Sequence, residues 1–133
     1  MSEIVFLPKA TRIRDAKNQG ADMTCEQLRC YLADADFRFS VKLKVLGTEH
    51  QRAVWSQMRQ IRAGRTKTYG EVAAIIKSSA RAVGQACGAN PIPIIIPCHR
   101  IVASGGLGGF AHQDVGFPLN VKRWLLLHEH ARW

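Results

Sequence analysis

A cysteine and a histidine stand side by side near the end of the stretch Pro91–Arg100, which reads PIPIIIPCHR. A thiol attacks well only as a thiolate, so Cys98 needs a base, and the adjacent His99 is a candidate. Glu129 is a carboxylate that could orient such a histidine. A nucleophile, a base and an orienting group suit a thiol hydrolase as well as a transferase. From its residue type alone, Cys98 is better explained as a small core residue.

The residues before Cys98 predict a stiff, extended segment. The run Ile94–Ile96 is typical of a short buried strand. Prolines add rigidity, because each fixes its own φ and biases the residue before it toward extended geometry. These prolines are Pro91, Pro93 and Pro97. We therefore expect Cys98 to stand at the end of a rigid, dry segment, which suits a nucleophile that must stay fixed.

Capping boxes predict where helices begin, because the paired side chains satisfy backbone N–H groups that lack a partner. The pairs are Thr24 with Gln27, Thr48 with Gln51, and Thr68 with Glu71. The first predicts a short helix over about Thr24–Ala35, with Leu28, Leu32 and Ala35 on one face. The second predicts a helix that ends at Gly64. The inner side of this second helix is predicted to hold Val54, Trp55, Met58, Ile61 and Arg62.

Two other segments show regular patterns. Apolar and polar residues alternate over 37–45, which predicts an extended segment with one buried face. The last helix is predicted to be capped by Asn120 and to cover residues 121–133. Its predicted buried stripe is Val121, Trp124, Leu125 and His128.

The third and fourth helices are separated by a short polar link, which predicts a helix-turn-helix. Thr68 begins the third, and Ser78 or Ser79 begins the fourth, which ends at Gly88. One face of the fourth helix is predicted to be small, with Ala82, Gly84, Ala86 and Gly88. Gly84 costs the helix about 1 kcal/mol relative to Ala, so we expect something to need the space. Close approach to a nucleic-acid groove and tight packing between helices both remain open.

The charge balance favours a polyanionic partner. Lys and Arg number 19 against 10 Asp and Glu, a formal net charge of +9. Nucleic acid is the first choice and an acidic membrane surface the second. No apolar run is long enough to span a bilayer, and no signal peptide pattern is present, so we expect a cytoplasmic protein with reduced cysteines. The Cys and His spacings do not predict a metal site.

The segment NPIPIIIPCHRIV closely resembles the active-site signature of the O6-alkylguanine-DNA alkyltransferases, also called methylated-DNA–protein-cysteine methyltransferases. The resemblance continues through TYGEVAAI, SARAVGQACGANP and WLLLHE, and covers roughly Met23–Glu129. It implies a mostly α (α+β) fold: a winged-helix-like helix-turn-helix DNA-binding domain with short strands near the active-site cysteine and a reduced N-terminal β element. We expect residues 1–47 to form a truncated N-terminal segment and residues 48–133 to form the alkyltransferase domain.

The resemblance also implies a reaction. The family transfers the alkyl group of O6-alkylguanine, and less well that of O4-alkylthymine, from duplex DNA to its own cysteine. The thioether product has no good leaving group, so the protein acts once and needs no cofactor or metal. We expect a monomer, and cooperative binding along DNA stays open.

By position, the resemblance assigns five catalytic residues. Cys98 would accept the alkyl group. His99 would take the thiol proton through a bound water, and Glu129 would orient His99. Asn90 would tie the active-site turn together by hydrogen bonds. Tyr69 would press on the phosphate 3′ of the lesion and donate a proton to the departing guanine.

The same resemblance assigns the DNA contacts. Arg81 would enter the duplex and fill the gap left by the flipped nucleotide. The helix around Ala82 and Gly84 would lie in the minor groove, whereas such helices usually enter the major groove. Thr68 and Ser104 would also contact DNA.

The expected substrate pocket departs from the family pattern. Its lining would be Ile101, Phe110, Ala111 and His112. The family usually has a Tyr followed by Gly in this loop, so Phe110 cannot donate the hydroxyl hydrogen bond. His112 should narrow the pocket and weaken reaction with bulky O6-benzyl groups. The insertion DVGFP has no evident role.

Three other functions compete with this interpretation. An alkyltransferase-like protein that binds lesions without catalysis would share Arg81 and its helix but would lack the cysteine. A transcription regulator would not need the PCHR motif. A cysteine hydrolase would not need the DNA-binding helix.

Overall fold

The computed structural model of the chain describes residues 4, 6, 19–110 and 117–133. The described residues form five α-helices: α1 Gln19–Ala33, α2 Glu49–Arg59, α3 Tyr69–Ile76, α4 Ala80–Gly88 and α5 Phe117–His128. A short 3₁₀ helix covers Cys98–Arg100, and two short strands, β1 Lys67–Thr68 and β2 Ile101–Val102, pair in parallel. The predicted mostly helical fold with short strands near the cysteine is confirmed. Within these residues, no helix has both the length and the apolar character needed to cross a bilayer.

The helix-turn-helix is formed by α3 and α4, as predicted. The Thr68–Glu71 capping box is present at the start of α3, and Lys77 ends this helix in the left-handed conformation, with φ 55°. Ser79, rather than Ser78, caps α4 by accepting a hydrogen bond from the backbone N–H of Ala82. The two helices therefore follow each other through a tight link of three residues, 77–79.

Helix α2 packs against the helix-turn-helix. Its Thr48–Gln51 capping box is present, and Val54, Trp55 and Met58 are buried against residues of α3 and α4. The indole N–H of Trp55 donates to the carbonyl of Ala86 in α4 at 2.9 Å. This contact places Ala86 in the core, so Ala82, Gly84, Ala86 and Gly88 do not share one open face. Residues two apart in a helix point in nearly opposite directions.

The predicted bounds of two helices were wrong. Helix α1 begins at Gln19, and Thr24 lies inside it, where its hydroxyl donates to the carbonyl of Gly20 at 2.8 Å. The buried residues of α1 are Thr24 and Tyr31, whereas Leu32 is 53% exposed. Helix α2 ends at Arg59 rather than Gly64, so Arg62 is exposed and is not part of the core.

The last helix was also predicted wrongly. Helix α5 begins at Phe117, so Asn120 lies within its first turn, and it ends at His128. Trp124, predicted to be buried, is 50% exposed, whereas Lys122 is fully buried. A lysine can be buried in this way because its ammonium group finds carbonyl partners, as described below.

The segment 37–45 is extended and alternates in burial, as its sequence pattern predicts. Val41 is buried, and Phe39, Leu43 and Val45 pack against the main core. The segment forms no strand ladder with the rest of the described chain. Its apolar side chains therefore hold it in place without a sheet.

Candidate active site

The stretch before Cys98 is a closed turn, and the prediction of a strand at Ile94–Ile96 was wrong. The side-chain amide of Asn90 donates to the carbonyl of Ile96 at 2.8 Å, and its oxygen accepts from the backbone N–H of Ile92 at 2.9 Å. Ile94 has a φ of 75°, which is strained for a β-branched residue. Asn90 therefore holds the chain in a tight bend where the isoleucine run alone favours an extended path.

Cys98 is the first residue of the 3₁₀ helix and is 6% exposed. Its backbone N–H donates to the carbonyl of Ile96 at 2.8 Å, so the turn fixes its position. Burial raises the pKa of the Cys98 thiol to about 11, although a hydrogen bond from Asn90 and the charge of Lys122 act in the opposite direction. The thiol therefore carries its proton at neutral pH and needs a base before it can attack.

His99 is fully buried, and its Nε2 lies 2.7 Å from Oε1 of Glu129. Burial lowers the pKa of His99, although Glu129 opposes this shift. An ionised carboxylate can only accept hydrogen bonds, so Nε2 must carry the proton of the neutral ring. The other nitrogen, Nδ1, is then an acceptor, and it is buried without a hydrogen-bond partner in the described part of the chain. The ring is thus poised to take a proton at Nδ1.

Glu129 is almost completely buried and collects several donors. Besides His99, its Oε1 accepts from the hydroxyl of Tyr31 at 2.8 Å and from Nη2 of Arg100 at 2.8 Å. Its Oε2 accepts from Nε of Arg100 at 3.0 Å. Burial alone would raise the pKa of Glu129, but the hydrogen bonds from His99 and Arg100 lower it overall. The carboxylate therefore stays ionised and holds the imidazole in one orientation.

Arg100 was missed by the sequence analysis. Its guanidinium bridges Glu129 and the carbonyl of Ile61, which lies 2.6 Å from Nη1. Arg100 thereby links the cysteine turn, the segment after α2 and the end of α5. The motif PCHR contains this arginine, so its position beside His99 was a usable signal for a carboxylate partner.

Lys122 was missed as well, although it is fully buried behind the cysteine turn. Its Nζ donates to the carbonyls of Ile101 and Gly109 at 2.7 and 2.9 Å, and lies 5.7 Å from the centre of the Tyr69 ring. Burial lowers the pKa of Lys122 to about 8. It is a cation placed between the thiol and the glycine-rich loop.

Tyr69 packs against the glycine-rich loop, residues 103–110. Its hydroxyl donates to the carbonyl of Gly109 at 3.3 Å. Gly108 has a φ of 73°, and a Cβ at this position would lie 2.9 Å from the Tyr69 ring. Only glycine fits there, so the loop follows the surface of Tyr69 closely.

The residues predicted to contact DNA lie on or beside the helix-turn-helix. Arg81 is exposed in the first turn of α4, while Ala82 and Gly84 are half-buried. A Cβ at Gly84 would be 4.0 Å from the Tyr69 ring, an ordinary contact. Thr68 is the N-cap of α3, next to Tyr69, and Ser104 is exposed in the glycine-rich loop.

The predicted pocket residues are described only in part. Ile101 is fully buried, and Phe110 is 5% exposed, with its ring 5.7 Å from that of Phe6. Ala111 and His112 lie outside the described residues, as does most of the insertion DVGFP.

The fold and the site define a helix-turn-helix domain with a buried cysteine beside a histidine that is held by a carboxylate. The family model of the 6-O-methylguanine DNA methyltransferase DNA-binding domain matches residues 49–131. The chain belongs to the O6-methylguanine-DNA methyltransferase family.

Individual relatives agree with this assignment. A methylated-DNA–protein-cysteine methyltransferase of Methanosarcina acetivorans is 45% identical over 103 residues, which cover 75% of this chain and 63% of the relative. A probable member from Acanthamoeba polyphaga mimivirus is 43% identical over 124 residues, covering 92% and 77%. The crystal structure of Mycobacterium tuberculosis OGT in complex with DNA matches with a TM-score of 0.77 at 34% identity, covering 98% and 82%. The chain thus spans less than two thirds of the Methanosarcina protein.

Proposed function

We propose that this protein repairs O6-alkylguanine in duplex DNA by transferring the alkyl group to Sγ of Cys98. The observation that carries the proposal is the arrangement around His99: Glu129 holds Nε2 at 2.7 Å, and the buried Nδ1 is left free to accept a proton. A water between Nδ1 and the thiol would pass the proton from Cys98 to His99. The membership of the chain in the family and this geometry then support the same reaction.

In this reaction the thiolate attacks the alkyl carbon in line with the bond to O6. The S–C bond forms as the C–O6 bond breaks, and the guanine leaves with the electron pair of that bond. Tyr69 would donate a proton to the departing guanine. The product is a thioether with no good leaving group, so each molecule reacts once and needs no cofactor or metal.

The burial of Cys98 supports extrusion of the damaged nucleotide. The thiol is 6% exposed, and O6 is stacked inside a duplex, so neither group can reach the other without a movement of the DNA. Flipping a nucleotide costs a few kcal/mol. Arg81, exposed at the start of α4, would fill the gap that the nucleotide leaves.

The remaining DNA contacts follow from the same placement. The helix around Ala82 and Gly84 would lie in the minor groove, and Thr68 and Ser104 would also contact DNA. The net charge of +9 supports binding to a polyanion. O4-alkylthymine would be a weaker substrate, and a narrowed pocket at His112 would disfavour benzyl groups.

Three other expectations belong to this proposal. We expect residues 1–47 and 48–133 to be separate segments of the chain. We expect the protein to bind DNA as a monomer. Titration of DNA with the protein measures whether several copies bind cooperatively. We expect it to work in the cytoplasm.

A non-catalytic lesion-binding protein is the second candidate, because it would use the same helix-turn-helix and Arg81. It would not need a thiol beside an oriented histidine. The presence of Cys98, His99 and Glu129 in one buried cluster favours transfer over binding alone.

Intact mass spectrometry after mixing with a duplex that contains one O6-methylguanine decides between these functions. We expect the wild-type protein to gain the mass of one methylene and Cys98→Ala to gain none. Cys25→Ala, which removes an exposed thiol, should behave as wild type. Tight lesion binding by the wild-type protein without a mass gain would instead establish the non-catalytic function.

A further inference from the structure

We propose that Tyr31 of α1 is a positioning residue for the alkyl transfer, acting through Glu129 to keep the imidazole of His99 neutral and able to accept a proton at Nδ1. This inference rests on the proposed function. The Tyr31 hydroxyl bonds to the carboxylate of Glu129, and its effect on His99 passes through that carboxylate.

Tyr31 is fully buried, and its hydroxyl donates to Oε1 of Glu129 at 2.8 Å. The same oxygen receives Nε2 of His99 at 2.7 Å. The tyrosine is itself fixed by neighbours. Its ring packs against Phe39 at 5.7 Å and against the edge of His128 at 5.2 Å, and the His128 ring bonds to its backbone carbonyl at 2.9 Å.

The hydrogen bond has a chemical consequence for His99. Every donor to Oε1 spreads the negative charge of Glu129 and makes that oxygen a weaker base. A weaker base stabilises a protonated imidazole less, so His99 stays neutral, with its proton on Nε2 and Nδ1 open as the acceptor. Without the Tyr31 hydroxyl, Glu129 would interact more strongly with a protonated imidazole, and the pKa of His99 would rise.

Other titratable or charged groups near His99 also influence its pKa. Lys122 lies near it in α5, Glu129 in the turn directly after α5, Arg100 in the 3₁₀ helix and Cys98 at the adjacent position. Tyr31 differs from all of these because it comes from α1, which lies before the matched residues 49–131. A helix outside the matched domain thus completes the hydrogen bonding of the catalytic carboxylate.

The test compares Tyr31→Phe with Thr24→Val, which removes a buried hydroxyl from the same helix without touching Glu129. Single-turnover methyl transfer is measured across pH with DNA at saturation, so that binding does not limit the rate. His99 must be neutral to accept a proton, so the rate falls at acid pH. This fall is the acid limb of the profile of rate against pH. For Tyr31→Phe we expect this acid limb to move up by about one pH unit, equivalent to about a tenfold loss of rate on that limb. Thr24→Val should keep the wild-type limb even if its melting temperature falls.

Nitrogen-15 NMR of the His99 ring provides a readout that does not depend on transfer. We expect its titration to move to higher pH in Tyr31→Phe and to stay in place in Thr24→Val. Coincident titrations and acid limbs for wild type and Tyr31→Phe would overturn the inference and leave Tyr31 as a packing residue. If the wild-type protein transfers no methyl group, the proposed function fails, while the NMR titration still decides whether Tyr31 controls His99. Should Tyr31→Phe not fold, fluorotyrosine at position 31, a stronger donor, should move the His99 titration to lower pH, and an unchanged titration would refute the role.

Discussion

Replacing Glu129 with glutamine should destabilise the protein far more than the same change at Glu26. Both carboxylates pair with an arginine: Glu129 with Arg100 at 2.8 Å, and Glu26 with Arg29 at 3.4 Å. The pairs differ in burial. The side chains of Glu129 and Arg100 are 0% and 12% exposed, whereas those of Glu26 and Arg29 are 70% and 72% exposed.

The magnitude follows from what Glu129→Gln leaves behind. The guanidinium of Arg100 keeps its charge but loses its carboxylate, and removing one partner of a buried pair costs about 3–5 kcal/mol. We take about 3 kcal/mol because Arg100 retains some contact with solvent. An entropy of unfolding of about 2.1 cal/mol/K per residue, over 133 residues, gives about 0.28 kcal/mol/K. The melting temperature should therefore fall by about 11 °C.

Thermal unfolding followed by circular dichroism measures this difference. Glu26→Gln should cost less than about 0.5 kcal/mol, because an exposed pair gains little over solvation by water. Arg100→Met combined with Glu129→Gln removes both charges, so we expect the double variant to lose less stability than the sum of the two single changes. Equal melting temperatures for Glu129→Gln and Glu26→Gln would refute the reasoning.

The pH dependence of the stability difference between the wild-type protein and Glu129→Gln gives an independent check. The pKa of Glu129 is lowered in the folded protein, so its contribution is fully present above its unfolded value, about 4.3, and is lost as pH falls toward the folded value. The gap in stability between wild type and Glu129→Gln should be constant from about pH 7 to 5 and should narrow below about pH 4. A gap that widened in acid would contradict the lowered pKa.

Two further predictions concern the surroundings of the cysteine. The free energy of unfolding of the wild-type protein relative to that of Lys122→Met should rise from about pH 8 to about pH 10, because burial lowers the pKa of Lys122 to about 8 whereas the unfolded chain, with a lysine pKa of about 10.4, still binds the proton over this range; denaturant unfolding at the two pH values measures this, and a constant difference would contradict the lowered pKa. Gly108→Ala should cost about 1–3 kcal/mol, since its φ is 73° and its Cβ would lie 2.9 Å from Tyr69. Gly106→Ala is the control, because its Cβ would meet nothing within 4 Å, and equal losses in the two melting curves would contradict the close fit of the loop.

Local sequence signals predicted the helix-turn-helix well. The capping boxes at Thr48 and Thr68 involve residues three apart, so nothing distant is needed to form them. The same residue pattern at Thr24 and Gln27 does not mark the start of a helix, because the Thr24 hydroxyl is buried and bonds within α1. A capping signal is decisive only where the threonine stays outside the core.

The path of the chain before Cys98 was harder to predict. Three isoleucines and flanking prolines favour an extended segment, and the bend depends on the side chain of Asn90, which bonds across to Ile96. The strain at Ile94 is a local cost that only the closed turn explains.

The residue types alone predicted the centre of the site. They did not predict the residues that surround it. Cys98 and His99 are adjacent, and Glu129 was recognised as a possible partner. Tyr31 lies 98 positions from Glu129, and no periodic pattern predicts that their side chains meet. The burial of Lys122 was not predicted because a lysine in a helix is usually solvent-exposed. Its burial is possible because its ammonium group donates to the carbonyls of Ile101 and Gly109.

The resting site is arranged to keep the thiol unreactive. Burial raises the pKa of Cys98 to about 11 and lowers the pKa of His99, so both groups are neutral and the proton stays on sulfur. A protein that forms an irreversible thioether gains from this arrangement, because any stray electrophile that reached a thiolate would consume the molecule. Proton transfer to Nδ1 of His99 would then be favoured only when a substrate fills the site and the new bond to carbon replaces the bond to hydrogen. The donors around Glu129 therefore do more than hold His99 in place, since by lowering the basicity of the carboxylate they keep the histidine neutral in the resting site.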